Sequence, residues 1–172
     1  MSISLPPAVL RKYVSPVFVE TGTYEGGGVR MALSLGFPDV RSVELDAVRA
    51  AALKAQFAGN GAVRLYQGNS AERLPEMLAD VETGATFWLD AHPCVRHLDF
   101  GACPIMGELE VVRAFAARVV PKGNRVFVLI DDLDAFSDLD VEAMTEAVRS
   151  VAGITLVVRE SSVRGPVVMA AS

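Results

Sequence analysis

The chain has 172 residues, 51% of them apolar and 22% charged, with a formal net charge of −5. That length and composition suit one folded domain with its own core and exclude a disordered tail. No cluster of Lys or Arg exceeds two or three residues, which argues against a nucleic-acid backbone as the main ligand, and no apolar run approaches the roughly 20 residues a bilayer span needs.

The opening MSISLPPAVLRKY lacks the basic-then-apolar pattern of a secretory signal. Two cysteines in a chain of this length make no disulfide framework. A cytoplasmic protein with no membrane association is the expectation.

In chain order, short apolar runs alternate with helix-like segments. Val17 to Glu20 reads as a first strand, with a helix from Gly27 to Leu35. Val40 to Leu45 (VRSVEL) reads as a second, before an alanine-rich amphipathic stretch from Ala47 to Phe57. Val63 to Gln67 is a third, followed by helical SAERLPEML. Thr86 to Asp90 (TFWLD) is a fourth and Arg125 to Asp131 (RVFVLID) a fifth, with helical PIMGELEVVRAFAARVV between them. Such alternation signals βαβ units and a mainly parallel sheet covered on both faces.

The rhythm then breaks. After a helix near Asp140 to Val151, Ile154 to Arg159 and Pro166 to Ala170 are separated only by ESSVRG. So short a link holds no crossover helix, so these two strands should be antiparallel neighbours. With no repeat, linker or low-complexity segment, residues 1–172 read as a single α/β domain of Rossmann-like type.

In an open α/β sheet the ligand sits beyond the carboxyl ends of the strands. The first strand exits into Glu20-Thr21-Gly22-Thr23-Tyr24-Glu25-Gly26. This is neither the G-x-G-x-x-G of a dinucleotide site nor a G-K-[ST] phosphate loop. Its carboxylates would repel phosphate and attract a cation. S-adenosylmethionine, with a sulfonium and an ammonium, fits that sign, and the glycines would let backbone approach it closely. Glu44 ends the second strand, where a carboxylate can accept from both ribose hydroxyls. Asn69 and Ser70 follow the third, where an amide or hydroxyl can address adenine. The fourth ends at Asp90. Each has a plainer use: solvation for the acids, helix capping for Ser70. Their placement on one edge of the sheet favours the cofactor.

From Val17 to Leu133 the chain resembles the class I S-adenosylmethionine-dependent methyltransferases. Within them it is most similar to the metal-dependent O-methyltransferases of the catechol O-methyltransferase type. The motifs are ETGTYEG, VELD, GNSAERLPEML, WLDAH and LIDD. FWLDAH, CPIMGELE and LIDD together also resemble a bacterial group of methyltransferase-like proteins. The resemblance implies a seven-stranded sheet closed by an antiparallel C-terminal hairpin. It implies that Glu20, Gly22, Thr23 and Gly26 frame the methionine end of the cofactor, that Glu44 binds ribose, and that Asn69 and Ser70 lie near adenine. It further implies that Asp90, Asp131 and Asp132 hold a divalent cation, where the catechol enzymes usually carry asparagine at the last position. Hard oxygen ligands suit Mg²⁺ best, with Ca²⁺ and Mn²⁺ as relatives; the plainer use of Asp131-Asp132 is a helix cap beside a solvated carboxylate.

The sequence also departs from the pattern. The lysine base that the catechol enzymes place three residues after the first metal aspartate is Pro93 here. His92 is the nearest candidate general base, with a structural hydrogen-bonding role as its alternative. Only about sixteen residues precede the first strand, so recognition of a small-molecule methyl acceptor would fall to residues 91–103 and to a homodimer partner. His92, Cys94, His97 and Cys103 in that loop make a zinc site conceivable, without a familiar finger spacing. The leading expectation is cation-assisted O-methylation of a small molecule. The alternatives are a cofactor-binding module without catalysis and, behind it, a nicotinamide-dependent oxidoreductase.

Overall fold

A computed structural model describes residues 7–91, 103–131, 138–149, 154–155 and 167–171. The strands are β1 (Val17–Thr21), β2 (Asp39–Glu44), β3 (Val63–Gln67), β4 (Ala85–Leu89), β5 (Val126–Ile130), β6 (Ile154–Thr155) and β7 (Val167–Ala171). The helices are α1 (Pro7–Leu10), α2 (Gly27–Ser34), α3 (Ala47–Gln56), α4 (Ser70–Met77), α5 (Ile105–Val119) and α6 (Asp138–Arg149). Strand order across the sheet is β3-β2-β1-β4-β5-β7-β6. The first five run parallel, so β1 sits at the point where the order reverses, with β2 on one side and β4 on the other. β7 pairs antiparallel with β5, and β6 antiparallel with β7. The link between the last two strands lies outside the described residues.

Three central strands are buried along their whole length, namely β1, β4 and β5. This is why they read as continuous apolar runs rather than as alternating ones: helices cover both faces. The alternation of side chains divides them between two cores. Val17, Val19, Phe87, Leu89, Val128 and Ile130 face α4, α5 and Met144 of α6. Phe18, Trp88, Phe127 and Leu129 face the other way, against Leu10, Val29 and Ala32. A large side chain buried this fully stabilises the fold by about 1.5–3 kcal/mol.

The short helix α1 is an addition to the elements expected from sequence. A 3-10 turn (Arg11–Tyr13) continues it. Leu10 has no solvent exposure, and the Tyr13 ring meets Phe127 edge-on at 5.4 Å. Four residues of helix would not persist alone; packing of Leu10 and Tyr13 under the sheet holds them. Among the described residues no helix is long and apolar enough to cross a membrane.

Candidate functional site

The exits of β1 to β5 share one edge of the sheet, and the backbone ties them together there. The Gly22 and Thr23 amides donate to the Val43 carbonyl at 3.0 and 3.1 Å. The Asp90 amide donates to Thr21 O at 3.1 Å and the Asp131 amide to Leu89 O at 3.0 Å. Parallel pairing therefore continues one residue past each strand, which brings Gly22, Asp90 and Asp131 into one row. Gly22 has φ +83°, and a Cβ there would lie 2.5 Å from the Asp90 carbonyl oxygen. The glycine is required because β4 leaves so close to the turn.

Glu20 does not extend into solvent. It is 2% exposed, on the sheet face that carries Phe18 and Trp88. The Ser42 hydroxyl donates to its Oε2 at 2.6 Å, and Ser42 Oγ lies 2.6 Å from Thr23 Oγ1. With Ser42 donating to Glu20, its oxygen is left to accept from Thr23. Burial pushes the Glu20 carboxyl up to about 8, against which the Ser42 hydrogen bond acts; Glu44 repels it further and Arg30 offsets part of that. A buried acid facing hydroxyls rather than a cation keeps its proton near neutrality. Trp88, in register beside it, has a buried indole N–H with no hydrogen-bond partner.

Glu44 locks two segments together. Its Oε2 accepts from the Tyr24 amide at 2.8 Å. Its Oε1 accepts from the Asp46 amide at 3.0 Å and from Arg49 at 3.2 Å. Tyr24 adopts a left-handed conformation, φ 49°, uncommon for a residue with a side chain, and its ring lies 4.8 Å from the Arg49 guanidinium. Three acceptor positions of the carboxylate are thus taken, and Oε2 keeps one. Leu45 and Val48, both exposed, stand beside it.

At the third exit, Asn69 rather than Ser70 caps the helix. Asn69 is extended (φ −64°, ψ 130°) and its Oδ1 accepts from the Ala71 amide at 3.0 Å. Gly68 precedes it at φ +135°, which delivers the chain to the cap one residue early. Ser70 becomes the first helical residue, 5% exposed, and points inward.

The inward neighbour of Ser70 is a residue the sequence reading passed over. Glu108, in the first turn of α5, is 1% exposed. Burial pushes its carboxyl up to about 7, an effect that the nearby Ser70 and Thr21 side chains offset only in part. Its Oε1 has no hydrogen-bond partner. Thr21 Oγ1 in turn accepts from the Asp90 amide at 3.1 Å. A signal was present in the sequence: Glu108 interrupts the apolar series Ile105, Leu109, Val112 on the buried stripe of α5.

Of the expected metal ligands, Asp90 and Asp131 follow neighbouring strands β4 and β5, while Asp132 lies outside the described residues, as does His92. Among the described residues no group of three or more His, Cys, Asp or Glu is arranged to hold a metal ion. Cys94 and His97 also lie outside them, and Cys103 packs half-buried against the larger core.

Sheet order and connections define a Rossmann-like α/β fold, and solved methyltransferases share it. An O-methyltransferase from Bacillus cereus in complex with S-adenosylhomocysteine matches with TM-score 0.61 and 13% identity, over 96% of this chain and 77% of that one. The O-methyltransferase TomG from Streptomyces achromogenes, involved in tomaymycin synthesis and solved with S-adenosylmethionine, matches at 0.58 and 14%, over 95% and 75%. A ribosomal protein L11 methylase from Lactobacillus delbrueckii subsp. bulgaricus matches at 0.54 and 16%, over 96% and 76%. At such identities the likeness is one of fold. No protein-family model matches the chain, and no curated protein matches it significantly.

Proposed function

We propose that this protein is an S-adenosylmethionine-dependent methyltransferase acting on an oxygen of a small molecule with the help of a divalent cation. The observation that carries the reading is the convergence of Glu20, Glu44, Asn69, Ser70 and Asp90 on the carboxyl edge flanking β1. Solved proteins of the same fold hold S-adenosylhomocysteine and S-adenosylmethionine.

Bound S-adenosylmethionine supplies an electrophilic methyl group on a sulfonium. In this reading the Gly22 to Gly26 turn, pinned to Val43, frames its amino-acid end, and Glu20, once the ammonium has drawn off its proton, provides the negative charge for that ammonium. Glu44 has one acceptor position left on Oε2 for a ribose hydroxyl. Leu45 and Val48 offer apolar surface alongside. Asn69 spends its oxygen on the cap and keeps its amide hydrogens as donors toward a ring nitrogen. The protein's main task is alignment, because methyl transfer is an in-line displacement.

Asp90 and Asp131 are hard oxygen donors at adjacent exits, a donor set that fits Mg²⁺; with Asp132 they are the proposed ligands. A cation held there would clamp acceptor oxygens and stabilise an oxyanion. His92 is the proposed general base. The closing antiparallel pair of strands is read as the hairpin of the seven-stranded methyltransferase sheet, residues 1–172 as one such domain, and the acceptor as a small hydroxylated molecule. A homodimer partner is proposed to add cover.

Calorimetry with S-adenosylhomocysteine and MgCl₂, followed by a labelled-methyl screen over hydroxylated small molecules, tests the proposal. Binding with turnover that Asp90→Ala abolishes, while leaving cofactor affinity largely intact, is the expected result. Binding without turnover would reduce the protein to a cofactor-binding module. Tighter binding of NAD than of S-adenosylhomocysteine would overturn the reading altogether.

A further inference from the structure

On the sheet face that carries Phe18, Val40, Trp88 and Leu129, β1 and β2 change character together toward their carboxyl ends. Phe18 and Val40 are in register and apolar; two residues on, Glu20 and Ser42 are in register and polar. Ser42 has no solvent exposure, and Glu20 and Thr23 are each 2% exposed. Ser42 Oγ donates to Glu20 Oε2 at 2.6 Å and lies 2.6 Å from Thr23 Oγ1. A serine hydroxyl has one hydrogen to give, so with that hydrogen on Glu20 the Thr23 hydroxyl donates to Ser42. Donors therefore run inward from the turn, Thr23 to Ser42 to Glu20. The other in-register neighbour of Glu20, Trp88, takes no part: its indole N–H has no partner.

Packing alone does not call for this chain of hydroxyls. An apolar side chain at position 42 would continue the pattern set by Val40, and departures of this kind from local consistency mark sites where function overrides packing. The chain joins a carboxyl to a loop. Thr23 is fixed in the turn by its backbone, its amide donating to the Val43 carbonyl at 3.1 Å and its carbonyl accepting from the Gly26 amide at 2.8 Å. Ser42 thus ties the Glu20 carboxyl to the turn that leads into α2. A hydroxyl can donate to a carboxyl in either protonation state, and the bond is roughly twice as strong when the acceptor is ionised. Ser42 therefore fixes where the carboxyl stands and favours the charge that an ammonium group requires, while Oε1 is left to meet the ligand.

We propose that Ser42 is a positioning residue of the cofactor site, acting through Glu20 and itself oriented by Thr23, a role that rests on the proposed function for the identity of the ligand. Fully buried, Ser42 touches neither ligand nor reacting atoms. Its influence is confined to the amino-acid end of the cofactor, because Glu20 is the group it holds.

The test uses the full chain with Ser42→Ala, Thr23→Val and Thr23→Ser. Calorimetry measures two ligands: S-adenosylhomocysteine, and methylthioadenosine, which keeps the adenine and ribose but lacks the amino-acid end. Ser42→Ala should bind S-adenosylhomocysteine about tenfold more weakly, the loss expected for one hydrogen bond to a charged group, yet bind methylthioadenosine as the wild type does. Thr23→Val, which keeps the shape of the side chain and removes its hydroxyl, should show the same split with a smaller loss of about threefold, and it decides the matter if Ser42→Ala fails to fold. Thr23→Ser, which restores the hydroxyl, should recover most of that loss. Unchanged affinity for S-adenosylhomocysteine in Ser42→Ala, or in Thr23→Val where it stands in, would overturn the proposal. An equal loss for both ligands would overturn it too, because it would show a purely structural role. Wild-type protein that binds neither ligand overturns the proposed function and the role of Ser42 with it, whereas wild-type binding without the split in the variants overturns the role of Ser42 alone.

Discussion

Replacing Glu20 by glutamine isolates the electrostatic cost of burying an acid in the centre of the sheet. Burial, opposed by the Ser42 hydrogen bond, raises the Glu20 carboxyl from 4.5 to about 8. The sign follows from linkage. Below pH 4.5 the group is protonated in folded and unfolded chains alike and its contribution is fully present. Between 4.5 and 8 the unfolded chain releases the proton and the folded chain keeps it, so stability falls as pH rises, levelling off above 8. A pKa unit corresponds to 1.36 kcal/mol, so the window represents at most about 5 kcal/mol. Glu20→Gln carries no such proton and should be nearly isosteric. Urea denaturation of both proteins at half-unit intervals from pH 5 to 9 provides the assay. The two should be of similar stability near pH 5, and the variant should gain steadily to an advantage of several kcal/mol by pH 8.5. Parallel stability curves across that range would refute the reasoning, because they would mean that Glu20 is solvated or paired with a cation in the folded state.

Gly22→Ala should destabilise by about 2–4 kcal/mol in the same assay, since the added methyl meets the Asp90 carbonyl and the left-handed backbone is strained by a side chain. Asn69→Ala should cost about 1 kcal/mol through loss of the α4 cap, whereas a Ser70→Ala effect of that size through the cap is not expected. Arg41, 2% exposed and bound to Asp39, Asp80 and the Met77 carbonyl, should cost about 1–3 kcal/mol when replaced by alanine, because the buried Met77 carbonyl loses its donor while the more exposed Asp39 and Asp80 carboxylates return to water; calorimetric unfolding reads this directly.

The strands were legible because parallel strands covered on both faces are short apolar runs, and VFVE, TFWLD and VFVLI show that in any window. Their edges shift by a residue: β4 begins at Ala85 and stops at Leu89, so Asp90 lies just past the ladder, where its amide still bonds back to Thr21. The candidate site was legible as a set of exits, not as a set of environments. Nothing in VRSVEL announces that Ser42 will donate to Glu20, because that contact depends on the register Glu20↔Ser42 between parallel strands. Asn and Ser are equally good caps by type, so the sequence offers Ser70 as a cap at the third exit, and only the backbone of Gly68 and Asn69 gives that role to Asn69. Glu108 was hidden by its neighbours: PIMGELE reads as an ordinary helix start with a solvated acid, until its position on the Ile105, Leu109, Val112 stripe is noticed.

A buried, protonated Glu20 alters what the sign of the site means for a cationic ligand. An acid that keeps its proton to about pH 8 presents no charge at neutrality, so an ammonium group must first draw the proton off. Binding of S-adenosylhomocysteine, whose amino-acid end carries an α-ammonium group beside its carboxylate, should therefore release up to one proton per ligand near pH 7 if that ammonium meets Glu20. Its affinity should strengthen with rising pH by as much as about tenfold per unit between pH 6 and 7.5, since that is the slope for one linked proton. Calorimetry in buffers of different ionisation enthalpy counts the proton directly. Glu20→Gln should bind more weakly and lose the dependence on both pH and buffer. A wild-type affinity that stays flat over this range, with no proton released, would mean that the ammonium finds its counter-charge elsewhere on the edge, and Glu20 would then serve only the packing of the turn.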